Sequence, residues 1–162
     1  MRIDKNNYYL DIAEGVLERS TCLRRNYGAV IVKNDEIIST GYNGAPRGRA
    51  NCTDLKKCLR EELNVPSGQQ YELCRSVHAE QNAIISASRR DLLGSTLYLV
   101  GKDTKNGKYT KYNRPCTMCT RFIINAGIEK LVIRDDKENY HVIEVNTYIK
   151  NDDTLPEVVV WR

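Results

Sequence analysis

Tyr9, Ile12, Ala13, Val16 and Leu17 recur at spacings of three and four. They share one helical face, so an amphipathic helix is expected from residue 5 to about residue 22. Residues 27–33 and 36–42 are β-rich runs around Asn34-Asp35, the pattern of a hairpin. Gly41, Gly44, Pro46 and Gly48 then break regularity. Residues 44–74 form a long irregular segment, with a helical candidate at 54–63 and a turn at Pro66-Ser67-Gly68. A stretch of that length inside a compact domain is usually functional, disordered or pinned. Residues 78–89 read as a second helix and 96–100 as a strand. Residues 101–113, with Lys102, Lys105, Lys108 and Lys111 around Asn106-Gly107, read as an excursion with a hairpin turn. A third helix is expected over 116–125, stopped by Ala126-Gly127. Residues 130–134 and 141–149 are the last strand candidates. The order α-β-β-α-β-α-β-β predicts an α/β sandwich, one mixed sheet covered by helices.

The chain has 162 residues, which fits a single domain over 1–162. The longest fully apolar runs, such as residues 29–32, are four residues, so no membrane helix fits. Met1-Arg2-Ile3-Asp4-Lys5 shows no apolar export signal, which points to the cytoplasm. The net charge of +4 is too weak for a polynucleotide binder but suits a phosphorylated small molecule.

Six cysteines against two histidines change the picture further. A non-exported chain of this size needs no disulfide framework, so metal ligation or catalysis is the better default. Cys116 and Cys119 are three apart and share a helical face. Pro115 suits a helix start, where the dipole favours thiolate. By itself a Cys-x-x-Cys could equally be a redox pair or half of a structural zinc site. His78 also lies at an expected helix start. One imidazole and two thiolates are three protein ligands, the pattern of a catalytic zinc with an open fourth position. Glu80 can meet His78 only in the first turn, since two residues are about 200° apart on a helix. There it could serve a metal-activated water as acid and base without ligating.

His78-Ala79-Glu80 and Pro115-Cys116-Thr117-Met118-Cys119 match the zinc-dependent cytidine deaminase-like superfamily. Ser39-Thr40-Gly41-Tyr42-Asn43-Gly44-Ala45-Pro46-Arg47-Gly48 narrows this, and the chain resembles the deoxycytidylate (dCMP) deaminases from about residue 8 to 134. The resemblance implies a three-layer α/β/α sandwich with a central mixed five-stranded sheet. It also implies hydrolysis of dCMP to dUMP and ammonia, feeding thymidylate synthesis. His78, Cys116 and Cys119 would hold zinc, and Glu80 would shuttle the proton. Asn43 is the family's candidate for holding the sugar, though beside Gly44 it could be a turn residue. Arg47 and Arg49 are candidate phosphate contacts by nearness to Asn43, or else part of a solvated loop.

Some members carry a second, structural zinc with cysteines from these regions. Cys22, Cys52, Cys58 and Cys74 could form such a closed site and pin an insertion at about 44–76. Free buried thiols and disulfides remain open alternatives. The resemblance also implies a homo-oligomer, hexamer or dimer, with dCTP and dTTP as effectors. Two departures stand out. The 101–113 excursion is longer than the usual link into Pro-Cys, and it is a soluble hairpin or a cover for the site. Residues 135–140 supply only six residues where the family has a helix. A parallel crossover needs about a dozen or more, so the last two strands should be antiparallel. Deamination of another nucleoside, base or tRNA adenosine is the first rival. A non-catalytic zinc-stabilised binding protein is the second, and an intact Glu80 argues against it.

Overall fold

The structure, a computed structural model, describes residues 1–111 and 114–152. The expected excursion is therefore described only as far as Lys111, and the chain beyond Asp152 lies outside the described residues.

Helix α1 (Lys5–Leu17) leads into β1 (Arg25–Lys33) and β2 (Glu36–Tyr42). The hairpin turn is the expected Asn34-Asp35, both left-handed at φ 52° and 62°, which matches the twist of the flanking strands. Short helices α2 (Cys52–Leu55) and α3 (Leu59–Glu62) and a 3-10 turn (Tyr71–Leu73) follow. Then come α4 (Ala79–Ile85), α5 (Arg89–Leu92), β3 (Thr96–Asp103), α6 (Thr117–Ala126), β4 (Lys130–Arg134), β5 (Tyr140–Glu144) and α7 (Val145–Lys150). The strands form one five-stranded sheet in the order β2-β1-β3-β4-β5. Only β3 and β4 are parallel, joined through α6; every other pair is antiparallel, including β4 with β5. The short link 135–139 closes through Asp136, whose Oδ1 accepts from the Glu138 and Asn139 amides at 2.9 Å each.

The alternation along β1 divides the core. Val30 and Val32 face α1, packing with Leu10, Ala13, Leu17 and Val100. Ala29 and Ile31 face the other way, packing with Ala83, Leu97, Ile123 and Leu131 below α4 and α6. Helices on both faces make three layers. Each fully buried Leu or Ile contributes about 1.5–3 kcal/mol. Two glycines set how close the helices come. A Cβ on Gly28 would lie 2.1 Å from the Ala13 carbonyl oxygen, and one on Gly41 would lie 2.4 Å from both Ala79 O and Ala83 N. Hence α1 rests on β1, and α4 rests on β2, backbone to backbone.

A buried cation clamps α1 to β4. Arg134 Nη1 donates to Asp11 and Glu14 at 2.8 Å each, and Nη2 donates to Asn7 Oδ1 at 3.0 Å. Burial by itself raises the Glu14 pKa, but hydrogen bonds from Lys102, Arg134 and Tyr109 outweigh it and hold the carboxyl below its ordinary value.

Four expectations change. The first helix ends at Leu17, because Ser20 and Thr21 leave it to bond Asn43. The 54–63 helix is two single turns, broken at Lys56, which is left-handed at φ 54°. The 78–89 helix stops at Ile85, and Ser88 caps a new turn by accepting the Asp91 amide at 3.3 Å. The 141–149 strand stops at Glu144. Val145 is buried in the core and Tyr148 packs beside it, and that i, i+3 pair winds the chain into α7.

Candidate active site

His78 and Cys116 are each the residue that begins a helix. His78 has extended backbone before α4, and its N–H donates to Gln81 Oε1 at 2.9 Å. Cys116 begins α6, and its Sγ accepts the Cys119 amide at 3.4 Å. The Gly41 contact fixes α4 on the sheet, helped by Asn82 Nδ2 donating to Tyr42 O at 2.8 Å and Ser39 Oγ to Ala83 O at 2.7 Å. The α6 helix is anchored by buried Ile123 and Ala126. Two rigid helix ends therefore meet.

Where they meet, His78 Nδ1 is 3.5 Å from Cys116 Sγ and 3.3 Å from Cys119 Sγ. A tetrahedral zinc with Zn–N near 2.0 Å and Zn–S near 2.3 Å puts nitrogen and sulfur about 3.5 Å apart. The three donors fit that ion. Among the described residues they are the one group of three or more such side chains whose ligand atoms lie within 4.8 Å of one another. Their closeness also shifts their proton affinities. Burial disfavours a charged His78 ring, yet hydrogen bonds to Cys116 and Cys74 and the charge of Glu80 carry its pKa up to about 10. The Cys116 thiol is pushed down, chiefly by its hydrogen bond with Cys119, whose own thiol is pushed up. A divalent cation held by His78, Cys116 and Cys119 would take the place of a proton among them.

Glu80 sits in the first turn of α4, only 5% exposed. Burial lifts its carboxyl above the ordinary range, opposed by His78 and a hydrogen bond with Cys119. A carboxyl lifted in this way holds a proton more readily, which suits a group that takes one and returns it. A cavity of about 770 Å³ is lined by His78, Glu80 and Cys116, with Tyr27, Tyr71 and Ile124. That volume suits a small organic ligand.

Asn43 also lines the cavity. Its Oδ1 accepts from Ser20 Oγ at 2.6 Å and the Tyr27 amide at 2.8 Å, while Nδ2 donates to Arg25 O at 2.9 Å. This brace uses most of its hydrogen-bonding capacity and leaves one Nδ2 hydrogen. Arg47 and Arg49 are exposed and do not line the cavity. Five arginines the sequence reading passed over do: Arg24, Arg25, Arg60, Arg114 and Arg121. Arg24 and Arg25 are adjacent, but Arg60, Arg114 and Arg121 lie far along the chain, so no spacing in the sequence marks the five as a set.

Cys22, Cys52, Cys58 and Cys74 are free thiols, as are all six cysteines, so the disulfide alternative falls away. Cys52 is buried, and burial raises its pKa first. Cys22, Cys58 and Cys74 then add to that rise, but no three of the four thiols lie within 4.8 Å of one another, and Cys74 also hydrogen-bonds His78. Cys22 and Cys74 also line the cavity wall.

The chain matches the family described as "Cytidine and deoxycytidylate deaminase zinc-binding region" over residues 3–134, and it belongs to that family. The site is accordingly a zinc site. Within the family it is similar to the deoxycytidylate deaminase of Mycobacterium phage D29, 38% identical over 81% of this chain and 94% of the relative. It is also similar to that of Schizosaccharomyces pombe, 33% identical over 78% of this chain but only 36% of the longer relative. Among solved structures, the dCMP deaminase of cyanophage S-TIM5 in complex with dCMP and dUMP is 27% identical, with a TM-score of 0.56 over 83% of each chain.

Proposed function

We propose that the protein hydrolyses dCMP to dUMP and ammonia. The observation that carries this is a His/Cys/Cys zinc set beside a buried Glu80, in a cavity that five arginines also line. The D29 relative, similar along nearly its whole length, bears the name of that activity.

Zinc, when bound, lowers the pKa of water and supplies a nucleophile at neutral pH. His78, Cys116 and Cys119 would hold it. The Glu80 carboxylate takes a proton from the attacking water and delivers it to N3 of the base as C4 becomes tetrahedral. It then carries the second water proton to the amine, the C4–N bond breaks, and ammonia leaves. Burial keeps Glu80 on the water and the ring instead of on solvent. Its raised affinity for a proton suits a group that must hold one between two transfers.

The four remaining cysteines would close around a second, structural zinc on binding it, which would tie the 44–76 insertion to Cys22, five residues past α1. A closed set of thiolates leaves no position for chemistry. On the same reading the enzyme is cytoplasmic, where thiols stay reduced. It also assembles as a homo-oligomer, a hexamer or dimer, with dCTP and dTTP as effectors.

Ammonia release from dCMP and from deoxycytidine, measured on zinc-loaded protein, tests the reading. Strong preference for dCMP is the expected result. Equal turnover of both, or none of dCMP, overturns it. Zinc near two per chain is expected, and one per chain removes the structural site.

A further inference from the structure

We propose that Arg60 binds the phosphate of the substrate and makes this site select a nucleotide over a nucleoside; the proposal rests on the deaminase reading above.

Of the five arginines lining the cavity, Arg60 alone is buried, at 6% exposure. Arg24 is paired with Glu61 at 3.2 Å, Arg25 is half-buried on β1, and Arg114 and Arg121 are exposed. The direct contacts of the Arg60 guanidinium are to neutral groups, and its charge also helps lower the Cys74 pKa. Nη2 donates to the carbonyls of Pro66 at 3.0 Å and Gln69 at 2.7 Å, and the Tyr71 ring lies 4.5 Å from Cζ. Its Nε is buried with no partner, and no carboxylate among the described residues pairs with it. A buried cation with only neutral partners carries a desolvation cost that an anion in the adjoining cavity would offset.

The position fits a nucleotide. Tyr71 stands between Arg60 and His78, its ring edge-on to the imidazole at 5.1 Å. Those two contacts place the guanidinium within about 10 Å of the zinc-ligating ring. In a pyrimidine nucleotide the phosphorus lies roughly 8 Å from C4, a path of bonds near 1.5 Å each. A base with C4 at the zinc set can therefore reach the Arg60 end of the cavity with its phosphate. A planar guanidinium is suited to that group. The proposal also gives the Cys-rich segment a task. Cys58 lies just before Arg60 and Cys74 just after Tyr71, so pinning these cysteines holds the cation and its aromatic platform in place.

The test compares kcat/KM for dCMP and deoxycytidine in zinc-loaded wild type and Arg60→Met. We expect a loss of about 100-fold on dCMP, carried mainly by KM, and less than about threefold on deoxycytidine. Equal losses on both substrates show a purely structural role and overturn the proposal, as does an unchanged value for dCMP. Should Arg60→Met fail to fold, Arg60→Lys keeps the stem and charge. About a tenfold loss on dCMP alone is then expected, and no loss or a shared loss overturns the proposal. A wild type without preference for dCMP overturns the nucleotide reading itself. A preference that stays at its wild-type size in the Arg60 variants overturns this inference only.

Discussion

His78, Cys116 and Cys119 stand on helix ends packed against the sheet, whereas Cys52, Cys58 and Cys74 stand on short turns that touch the core little. The first group is already within tetrahedral ligand distances, at 3.3 and 3.5 Å. The second is a neighbourhood of free thiols around buried Cys52. The difference is one of support. Backbone contact at Gly41 and apolar anchors on α6 fix the first cluster before any metal arrives. Helices of four residues cannot fix the second, because a single turn barely repays its nucleation. The rigid cluster suits chemistry, and the loose one suits a metal that organises the chain around it.

Breaking each region in turn should separate their roles. His78→Ala has the largest expected effect. Zinc content falls by about one per chain, and ammonia release from dCMP falls at least about 1,000-fold, with far-ultraviolet circular dichroism unchanged. Cys58→Ser should also remove about one zinc, but with a different signature. Limited proteolysis then cuts within 44–76 and Tm falls by about 5 °C or more. Turnover at saturating dCMP stays within about threefold while KM rises, because Arg60 is no longer held. A kcat loss as deep as that of His78→Ala would erase the distinction between the regions. Gly41→Ala tests the support beneath the first cluster. Its methyl collides with the α4 backbone, so thermal or urea unfolding should show a loss of about 1–3 kcal/mol. The smallest effect concerns acid. Glu14 is held below its ordinary pKa of 4.5 by Lys102, Arg134 and Tyr109. Its contribution is present above that value and is lost as pH falls through the lower folded one. Tm should therefore drop below about pH 4.5, and less steeply in Arg134→Met, where part of the hold on Glu14 is gone.

The first cluster was legible in the sequence because its signals are local. His78-Ala79-Glu80 and Pro115-Cys116-Thr117-Met118-Cys119 carry ligands and helix-start chemistry in the same few residues. The Asn34-Asp35 hairpin and the antiparallel end of the sheet were legible for the same reason, since short links leave few geometries. Element ends were not. Leu17, Lys56 and Glu144 become boundaries through contacts with distant residues such as Asn43 and the core around Val145. The cations of the cavity were the least visible. Arg47 and Arg49 are near Asn43 in sequence yet exposed, while Arg60 reaches the cavity because Pro66, Gln69 and Tyr71 fold around its guanidinium.

The central claim is that one metal region does chemistry through Glu80 and the rest of the site only holds substrate and metal. Ammonia release from dCMP by Glu80→Ala, set against wild type at matched zinc content, tests it most directly. The account predicts full zinc occupancy, an unchanged fold and a rate lower by about 1,000-fold or more. A Glu80→Ala protein that releases ammonia at the wild-type rate would contradict it.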